Sequence, residues 1–244
     1  MINDKDKEKF LNCIGKIYQT YKLKGIGTYQ EKTLHKVIKN YYEENEELQE
    51  IAVNGYVADI KRDNQIIEVQ TRAFNKLVCK LDAYLNDYEV NIIYPIAYEK
   101  YIAWIDTDTL EEKSVRKSPK TGSIYDVILE LYKIKKFLNH PNLKIKLLFI
   151  NIKELRYLNG WSKDKKKGSS RCNQLPLELI DEIQIDDFSI FVPFKDNEFT
   201  SKDYAKITKK TVHRAQVILN ILKYLEIIEV IRKEKRMNVY KIKK

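Results

Sequence analysis

Cysteine and histidine are scarce in this sequence of 244 residues, which contains three of each. Cys13, Cys79 and Cys172 are odd in number and widely spaced, a pattern that fits reduced thiols in a cytoplasm. The chain has no Cys-x-x-Cys or His-x-x-x-His spacing, and its histidines are scattered. The sequence therefore gives no support to a zinc site or to a histidine metal cluster.

Long apolar stretches are also missing. No run of 18 apolar residues occurs, and residues 1–9 lack the apolar core of a signal peptide. We therefore expect a cytoplasmic protein with no membrane partner. A chain of this length exceeds the usual size of one domain, so we expect two domains.

Positive charge exceeds negative charge, and the excess is concentrated at one end. The chain carries 45 Lys and Arg against 35 Asp and Glu, a net charge of +10. Residues 200–244 hold 13 of the basic and 4 of the acidic residues, which leaves 32 and 31 in the rest. The C-terminal segment is thus the part suited to contacts with phosphate groups.

A short hairpin in the first half of the chain carries the most chemical information. Residues 57–61 and 65–71 have strand composition, and Asp63-Asn64 between them suits a two-residue turn. If the residues that flank this turn pair, the register places Asp59 directly opposite Glu68. Because side chains alternate along a strand, both carboxylates and the amide of Gln70 share one face.

Two like charges opposite each other on a sheet repel. A divalent cation between Asp59 and Glu68 converts this repulsion into a binding site, since Mg²⁺ prefers carboxylate oxygens. The alternative interpretation is a solvated outer face of a two-stranded ribbon. The hairpin by itself does not separate these two interpretations.

A third carboxylate precedes the hairpin. Residues 28–42 have the pattern of an amphipathic helix, in which Thr28 and Glu31 form a capping box. Glu31 lies three residues before Leu34, on the inward stripe of this helix. It either points at the place where Asp59 and Glu68 meet or serves only as a cap.

This order of elements resembles the PD-(D/E)XK nuclease superfamily. In that resemblance Glu31 matches the acidic residue of the first helix, Asp59 the motif aspartate, and Glu68-Val69-Gln70 the (D/E)-x-K segment. The resemblance covers roughly residues 25–155. It implies a restriction-endonuclease-like α/β fold, with a mixed sheet flanked by helices.

Further predicted elements complete this α/β domain, which we place at residues 1–185. Helices are expected at about 6–21, 72–88 and 125–138, and strands at 90–95, 101–105 and 143–150. A basic loop at 159–171 follows, and Pro176 begins a short connecting helix.

The sequence departs from the family at Gln70, where lysine is most common. The resemblance implies that Asp59 and Glu68 bind Mg²⁺ or Mn²⁺, that Glu31 binds a second ion or its water, and that Gln70 orients the attacking water. Glu-x-Gln variants resemble certain active restriction endonucleases. Arg72 or Lys76 is a candidate for the missing positive charge, although each also fits a solvated basic residue.

Residues 186–244 resemble a winged helix-turn-helix domain. Thr200 to Asp203 form a capping box before a short helix at 201–206, Thr208 is a possible cap for a helix at 209–224, and strand-like runs occupy 227–232 and 237–242. In such domains the second helix enters the major groove and the wing contacts phosphates. The residues expected to contact DNA are Lys209, Lys210, Thr211, His213, Arg214, Arg232, Lys233, Lys235 and Arg236.

The resemblance therefore implies a metal-dependent DNA endonuclease that the basic winged-helix domain brings to duplex DNA. A homodimer is compatible with this expectation. The composition, rich in Lys, Ile, Asn and Tyr, is typical of an AT-rich bacterial genome. The alternative is a non-catalytic DNA-binding regulator that keeps a degenerate nuclease-like domain, and the sequence alone leaves both open.

Overall fold

The computed structural model describes residues 2–24, 33–106, 108–109, 111–158, 171–195 and 197–243. Glu31, its predicted capping partner Thr28 and most of the predicted basic loop lie outside the described residues. In the described ranges, no helix combines the length and apolarity needed to cross a bilayer.

The described part of the chain contains a mixed sheet of seven strands. The strands are β1 (Gln49–Val53), β2 (Tyr56–Arg62), β3 (Gln65–Val69), β4 (Glu89–Ile105), β5 (Glu112–Lys117), β6 (Leu143–Tyr157) and β7 (Arg171–Gln184). Their order is β1-β2-β3-β4-β6-β7, and β5 pairs with β4. The three strands β3, β4 and β6 are parallel, whereas the other neighbours are antiparallel.

Helices cover both faces of this sheet, which confirms the predicted mixed α/β architecture. The helices of this part are α1 (Asp4–Lys24), α2 (Thr33–Tyr42), α3 (Val78–Tyr84) and α4 (Ile128–Lys133). Apolar side chains of α1 and α2 pack on one face, and those of α3 and α4 pack on the other. Parallel strands need such cover on both sides, because each of their faces is apolar.

Strand β3 shows how the sequence divides between the two faces. Ile66 belongs to the core beneath α3 and α4, whereas Ile67 and Val69 belong to the core beneath α1 and α2. All three are buried. Glu68 alternates with its neighbours and therefore lies on the face of Ile66.

The C-terminal residues form two helices and a small sheet. The elements are β8 (Phe199–Thr200), α5 (Ser201–Thr208), α6 (Val212–Tyr224), β9 (Ile228–Glu234) and β10 (Met237–Ile242). The three strands are antiparallel in the order β8-β10-β9. The predicted capping box is present, since the side chains of Thr200 and Asp203 each accept a hydrogen bond from the backbone N–H of the other residue.

The C-terminal segment packs directly on the large sheet domain. Helix α6 lies against α4, and Ala215 and Leu219 share one apolar core with Leu131. Two ion pairs border this contact: Asp126 accepts from Lys210 Nζ at 2.8 Å and from Arg214 at 3.4 Å. The domain boundary predicted near residue 185 falls directly after β7. The division of the chain into two domains at this point stays a prediction.

Three local predictions were wrong. Pro176 does not begin a helix but lies within β7, where its missing N–H is tolerated because β7 is an edge strand. The predicted helix at 72–88 is reduced to a 3-10 turn and α3, since Ala73 adopts a left-handed conformation with φ 61°. Helix α6 begins after Thr211, whose side chain accepts from Arg214 N, rather than after Thr208.

Two glycines provide a matched test of the packing. A methyl group at Gly122 would lie 2.3 Å from the carbonyl oxygen of Ala97 in β4, whereas one at Gly15 in α1 meets nothing within 4 Å. We expect Gly122→Ala to lower the free energy of unfolding by about 1–3 kcal/mol. Gly15→Ala should instead raise it by about 0.5–1 kcal/mol, because alanine favours a helix interior.

Urea unfolding of both variants measures the two changes. Equal changes in the free energy of unfolding would show that the segment carrying Gly122 does not pack tightly against β4.

Candidate functional site

The β2–β3 hairpin has the predicted register. Arg62 pairs with Gln65 and Ile60 pairs with Ile67. The regular pairing ends there, and Asp59 and Glu68 are the next residues of the two strands. The two carboxylates are therefore brought to the same end of the hairpin.

Asp59 is held by both a neighbouring strand and a helix. Its Oδ2 accepts from the backbone N–H of Val69 at 2.8 Å and lies 3.2 Å from Nε2 of His35 in α2. Burial acts to raise the pKa of Asp59, but His35, the Val69 N–H and the charge of Lys80 lower it below its ordinary value. Asp59 is thus kept as a carboxylate.

Glu68 is in a different environment. Its side chain is only 3 % exposed, and Lys80 Nζ of α3 donates to both carboxylate oxygens, at 2.9 and 2.8 Å. Burial and the nearby charge of Asp59 outweigh this ion pair and raise the pKa of Glu68 to about 7. The two carboxyl groups consequently have pKa values displaced in opposite directions.

Strand β1 is irregular beside Asp59. Gln49 pairs with Ile60 and Ile51 pairs with Ala58, so Glu50 is the residue that would oppose Asp59. Glu50 has a left-handed backbone with φ 55°. Its side chain receives a 2.7 Å bond from Lys39 Nζ. Irregularities of this kind re-aim side chains and are frequent next to active sites.

A cleft of about 850 Å³ opens beside Asp59, and we call it the central cleft. Its lining includes His35, Asp59, Arg72, Lys100, Asp126 and Arg171. Glu68 is not among the residues that line it. Of the two hairpin carboxylates, Asp59 therefore lines the cleft, whereas Glu68 lies beneath the surface.

The predicted catalytic amide of Gln70 has a local structural partner. Gln70 Nε2 donates to the carbonyl oxygens of Arg72 at 2.6 Å and Ala73 at 3.3 Å. These bonds hold the left-handed turn that leads into α3. The predicted role of Gln70 in orienting water stays a prediction.

Lys80 is the charged residue that the sequence analysis missed. Arg72 lines the central cleft and Lys76 is exposed, while Lys80 contacts Glu68. A usable signal was present: Lys80 is three residues after Leu77 and four before Tyr84, both of which are buried. Helix periodicity therefore places it next to the inward stripe.

The predicted DNA-contacting residues of α6 fall into two groups. Thr211 and His213 are exposed, as is Lys209, which ends α5 with φ 53°. Lys210 and Arg214 are instead engaged with Asp126 at the rim of the central cleft.

The predicted wing residues lie on or beside the β9–β10 hairpin. Arg232 forms ion pairs with Glu198 and Glu234. The basic residues Lys233, Lys235 and Arg236 are exposed and line a smaller cavity that Gln216 of α6 also borders. The hairpin thus places positive charge next to α6.

The donor set for a metal is small in this part of the chain. Among the residues that the structure describes, no group of three or more His, Cys, Asp or Glu side chains is arranged to hold an ion. Asp59 and Glu68 supply two carboxylates. That number fits Mg²⁺, which is usually bound by one or two carboxylates together with waters and substrate phosphates. Glu31 lies outside the described residues.

The raised pKa of Glu68 predicts a pH dependence of stability. The folded chain, with a pKa of about 7 against an ordinary 4.5, binds this proton more tightly than the unfolded chain. The free energy of unfolding should therefore fall by about 3 kcal/mol as pH rises from about 4.5 to about 7. Glu68→Gln should lose this component, which urea unfolding in EDTA would measure. Parallel profiles of unfolding free energy against pH for the wild type and Glu68→Gln would contradict the raised pKa of Glu68.

Comparison with known proteins shows the family but names no activity. The family described as "Domain of unknown function (DUF8091)" matches residues 32–186, more than half of the chain. A protein of Treponema pallidum (strain Nichols), described as an uncharacterized protein, is 31% identical over 147 residues. That alignment covers 60% of this chain and 56% of the relative, so the chain spans little more than half of the relative's length. No solved structure matches. The chain belongs to the DUF8091 family.

Proposed function

We propose that the protein is a metal-dependent DNA endonuclease. The observation that carries the proposal is the juxtaposition of Asp59, Glu68 and Lys80, of which Asp59 lines a cleft with basic residues in its wall. Two carboxylates and a lysine are a minimal set for hydrolysis of a phosphodiester. Perturbed carboxyl pKa values beside a cleft support a catalytic site.

Each residue has a role in this proposal. Asp59, kept ionised by His35 and the Val69 N–H, binds a Mg²⁺ or Mn²⁺ ion together with Glu68. An ion held by these two carboxylates would supply an activated water and would stabilise charge on the departing oxygen. Lys80 places a positive charge beside Glu68. It supplies the cation that the family's lysine would provide, a role for which Gln70, bonded to backbone carbonyls, is poorly suited.

The arrangement of elements supports the PD-(D/E)XK resemblance. A helix precedes an antiparallel hairpin, the second hairpin strand pairs in parallel with β4, and a helix separates these two strands. We propose that residues 1–185 have a restriction-endonuclease-like fold. Glu31 remains a proposed third acidic ligand.

We also propose that residues 186–244 form a winged-helix DNA-binding domain. Its support is the succession of two helices and a hairpin, with α6 and the basic hairpin side by side. Lys209, Lys235 and Arg236 are exposed and suited to phosphate contacts. Duplex DNA is the proposed partner.

One set of observations favours a second function, a DNA-binding regulator without catalysis. Gln70 replaces the usual lysine and its amide is engaged with the backbone. Glu68 is buried beneath Lys80 rather than lining the central cleft. In that case the carboxylates and Lys80 serve only to hold the hairpin against α2 and α3.

A plasmid assay separates the two functions. The full chain is incubated with supercoiled DNA in Mg²⁺, in Mn²⁺ and in EDTA, beside the variants Asp59→Asn, Glu68→Gln and Lys80→Gln. We expect metal-dependent nicking that each variant lowers at least about 100-fold, in line with loss of charge stabilisation at a catalytic site. Glu47→Gln, at an exposed carboxylate of a turn, is the control that should cut normally.

Failure of the wild-type chain to cut plasmid under every metal condition would contradict the nuclease. Equal cutting by wild type and Glu68→Gln would contradict the assigned site, even if a nuclease activity were present.

DNA binding by the C-terminal segment has its own test. Lys235→Gln/Arg236→Gln removes two exposed charges of the hairpin. The slope of log affinity against log salt on duplex DNA should become shallower by about 1.8, since each phosphate contact contributes about 0.9. Fluorescence anisotropy in EDTA measures the slope. Lys5→Gln/Lys9→Gln, at two exposed lysines of α1, is the charge-matched control, and an identical slope change in it would contradict a specific surface.

A further inference from the structure

A buried carboxylate organises three cations, two of which line the central cleft. Glu154 of β6 is 0 % exposed and contacts Arg156, Arg171 Nε at 3.2 Å and Lys100 Nζ at 3.6 Å. We call these four residues the Glu154 cluster. Burial acts to raise the pKa of Glu154, but Arg171, Arg156 and Lys100 lower it. The cluster contains three positive charges for one negative charge.

The excess charge is concentrated on adjacent strands. Arg156 of β6 pairs directly with Arg171 of β7 in the antiparallel ladder. Like charges opposite each other destabilise a sheet, and Glu154 offsets only part of the repulsion. An arrangement that keeps surplus positive charge in this way is suited to a bound anion.

The backbone directs part of this cluster toward the cleft. The β4–β6 register shifts between Ala97 and Lys100, and the β6–β7 register shifts between Leu155 and Arg156. Such bulges re-aim side chains next to functional sites. Lys100 and Arg171 line the central cleft, with about a quarter and two fifths of their side chains exposed. Gln174 donates to Glu154 and lines the same wall.

We propose that Lys100 and Arg171 form a phosphate-binding site for the backbone of a nucleic-acid strand in the central cleft. This inference rests on the proposed function, since Asp59 lines the same cleft. It adds a contact surface in the sheet domain to the one assigned to the C-terminal segment. Arg171 offers a planar guanidinium and Lys100 a compact ammonium, and both groups are suited to phosphate oxygens.

The occupant is inferred from charge and from the neighbouring groups. Residues 1–199 carry 32 basic and 31 acidic residues, so the surplus at the Glu154 cluster is local. Asp126 lines the same cleft and is paired with Lys210 and Arg214 of α6. A strand that enters the cleft would therefore meet Lys100 and Arg171 in the same lining that contains Asp59.

Binding without catalysis tests the proposal. The full chain and Lys100→Gln/Arg171→Gln are titrated into a fluorescein-labelled DNA strand, single or duplex, in EDTA. We expect the variant to bind about tenfold more weakly at 100 mM salt, with a slope of log affinity against log salt lower by about 1.4 on single strands. The control is Lys5→Gln/Lys9→Gln, at two exposed lysines of α1 outside this cleft, which changes the total charge equally.

The outcomes separate this inference from the nuclease. Unchanged affinity and slope in the double variant overturn the phosphate site, even if plasmid cutting through Glu68 is present. Weaker binding by the double variant supports the phosphate site, even if no condition gives cutting. Arg171→Lys keeps the charge and should bind DNA nearly as tightly as the wild-type chain. If Arg171→Lys binds as weakly as Arg171→Gln, and Arg171→Gln retains the wild-type melting temperature, the electrostatic explanation is overturned.

Discussion

The ion pair between Glu68 and Lys80 is the constraint on which the site depends. A carboxylate that is almost fully buried is strongly unfavourable without a partner, and Lys80 provides two hydrogen bonds from a neighbouring helix. The pair fixes α3 against β3. Because β3 is fixed, its Val69 N–H is available to Asp59, and Asp59 can in turn contact His35 of α2. One buried charge thus connects helices from both sides of the sheet.

The position of the cleft follows from the parallel pairing of β3, β4 and β6. Ligands of open α/β sheets bind outside the carboxyl ends of parallel strands. Thr71 and Arg72, which follow β3, line the cleft, as do Tyr94 to Ala97 within the longer strand β4. The residues that line the cleft range from Leu34 to Gln174, so the cleft is built from parts of the chain that are distant in sequence.

Local patterns predicted some elements well and others poorly. The hairpin register, the capping box at Thr200 and the strands of the C-terminal hairpin are confirmed, because turn chemistry and alternation act over a few residues. The helix predicted from Pro176 was wrong, since pairing of β7 with β6 outweighs a local helix signal. Helix α6 begins after Thr211 rather than after Thr208, and Val212, its first residue, is 41 % exposed.

The sequence by itself determined that Asp59 and Glu68 share one end of a hairpin, because a two-residue turn leaves a single register. It also determined the basic character of residues 200–244. Only the tertiary structure decided that Lys80 meets Glu68, that Gln70 bonds to the backbone, and that Arg171 and Lys100 surround Glu154. These contacts join residues on different elements, and their geometry depends on how helices and strands pack, which no local pattern encodes.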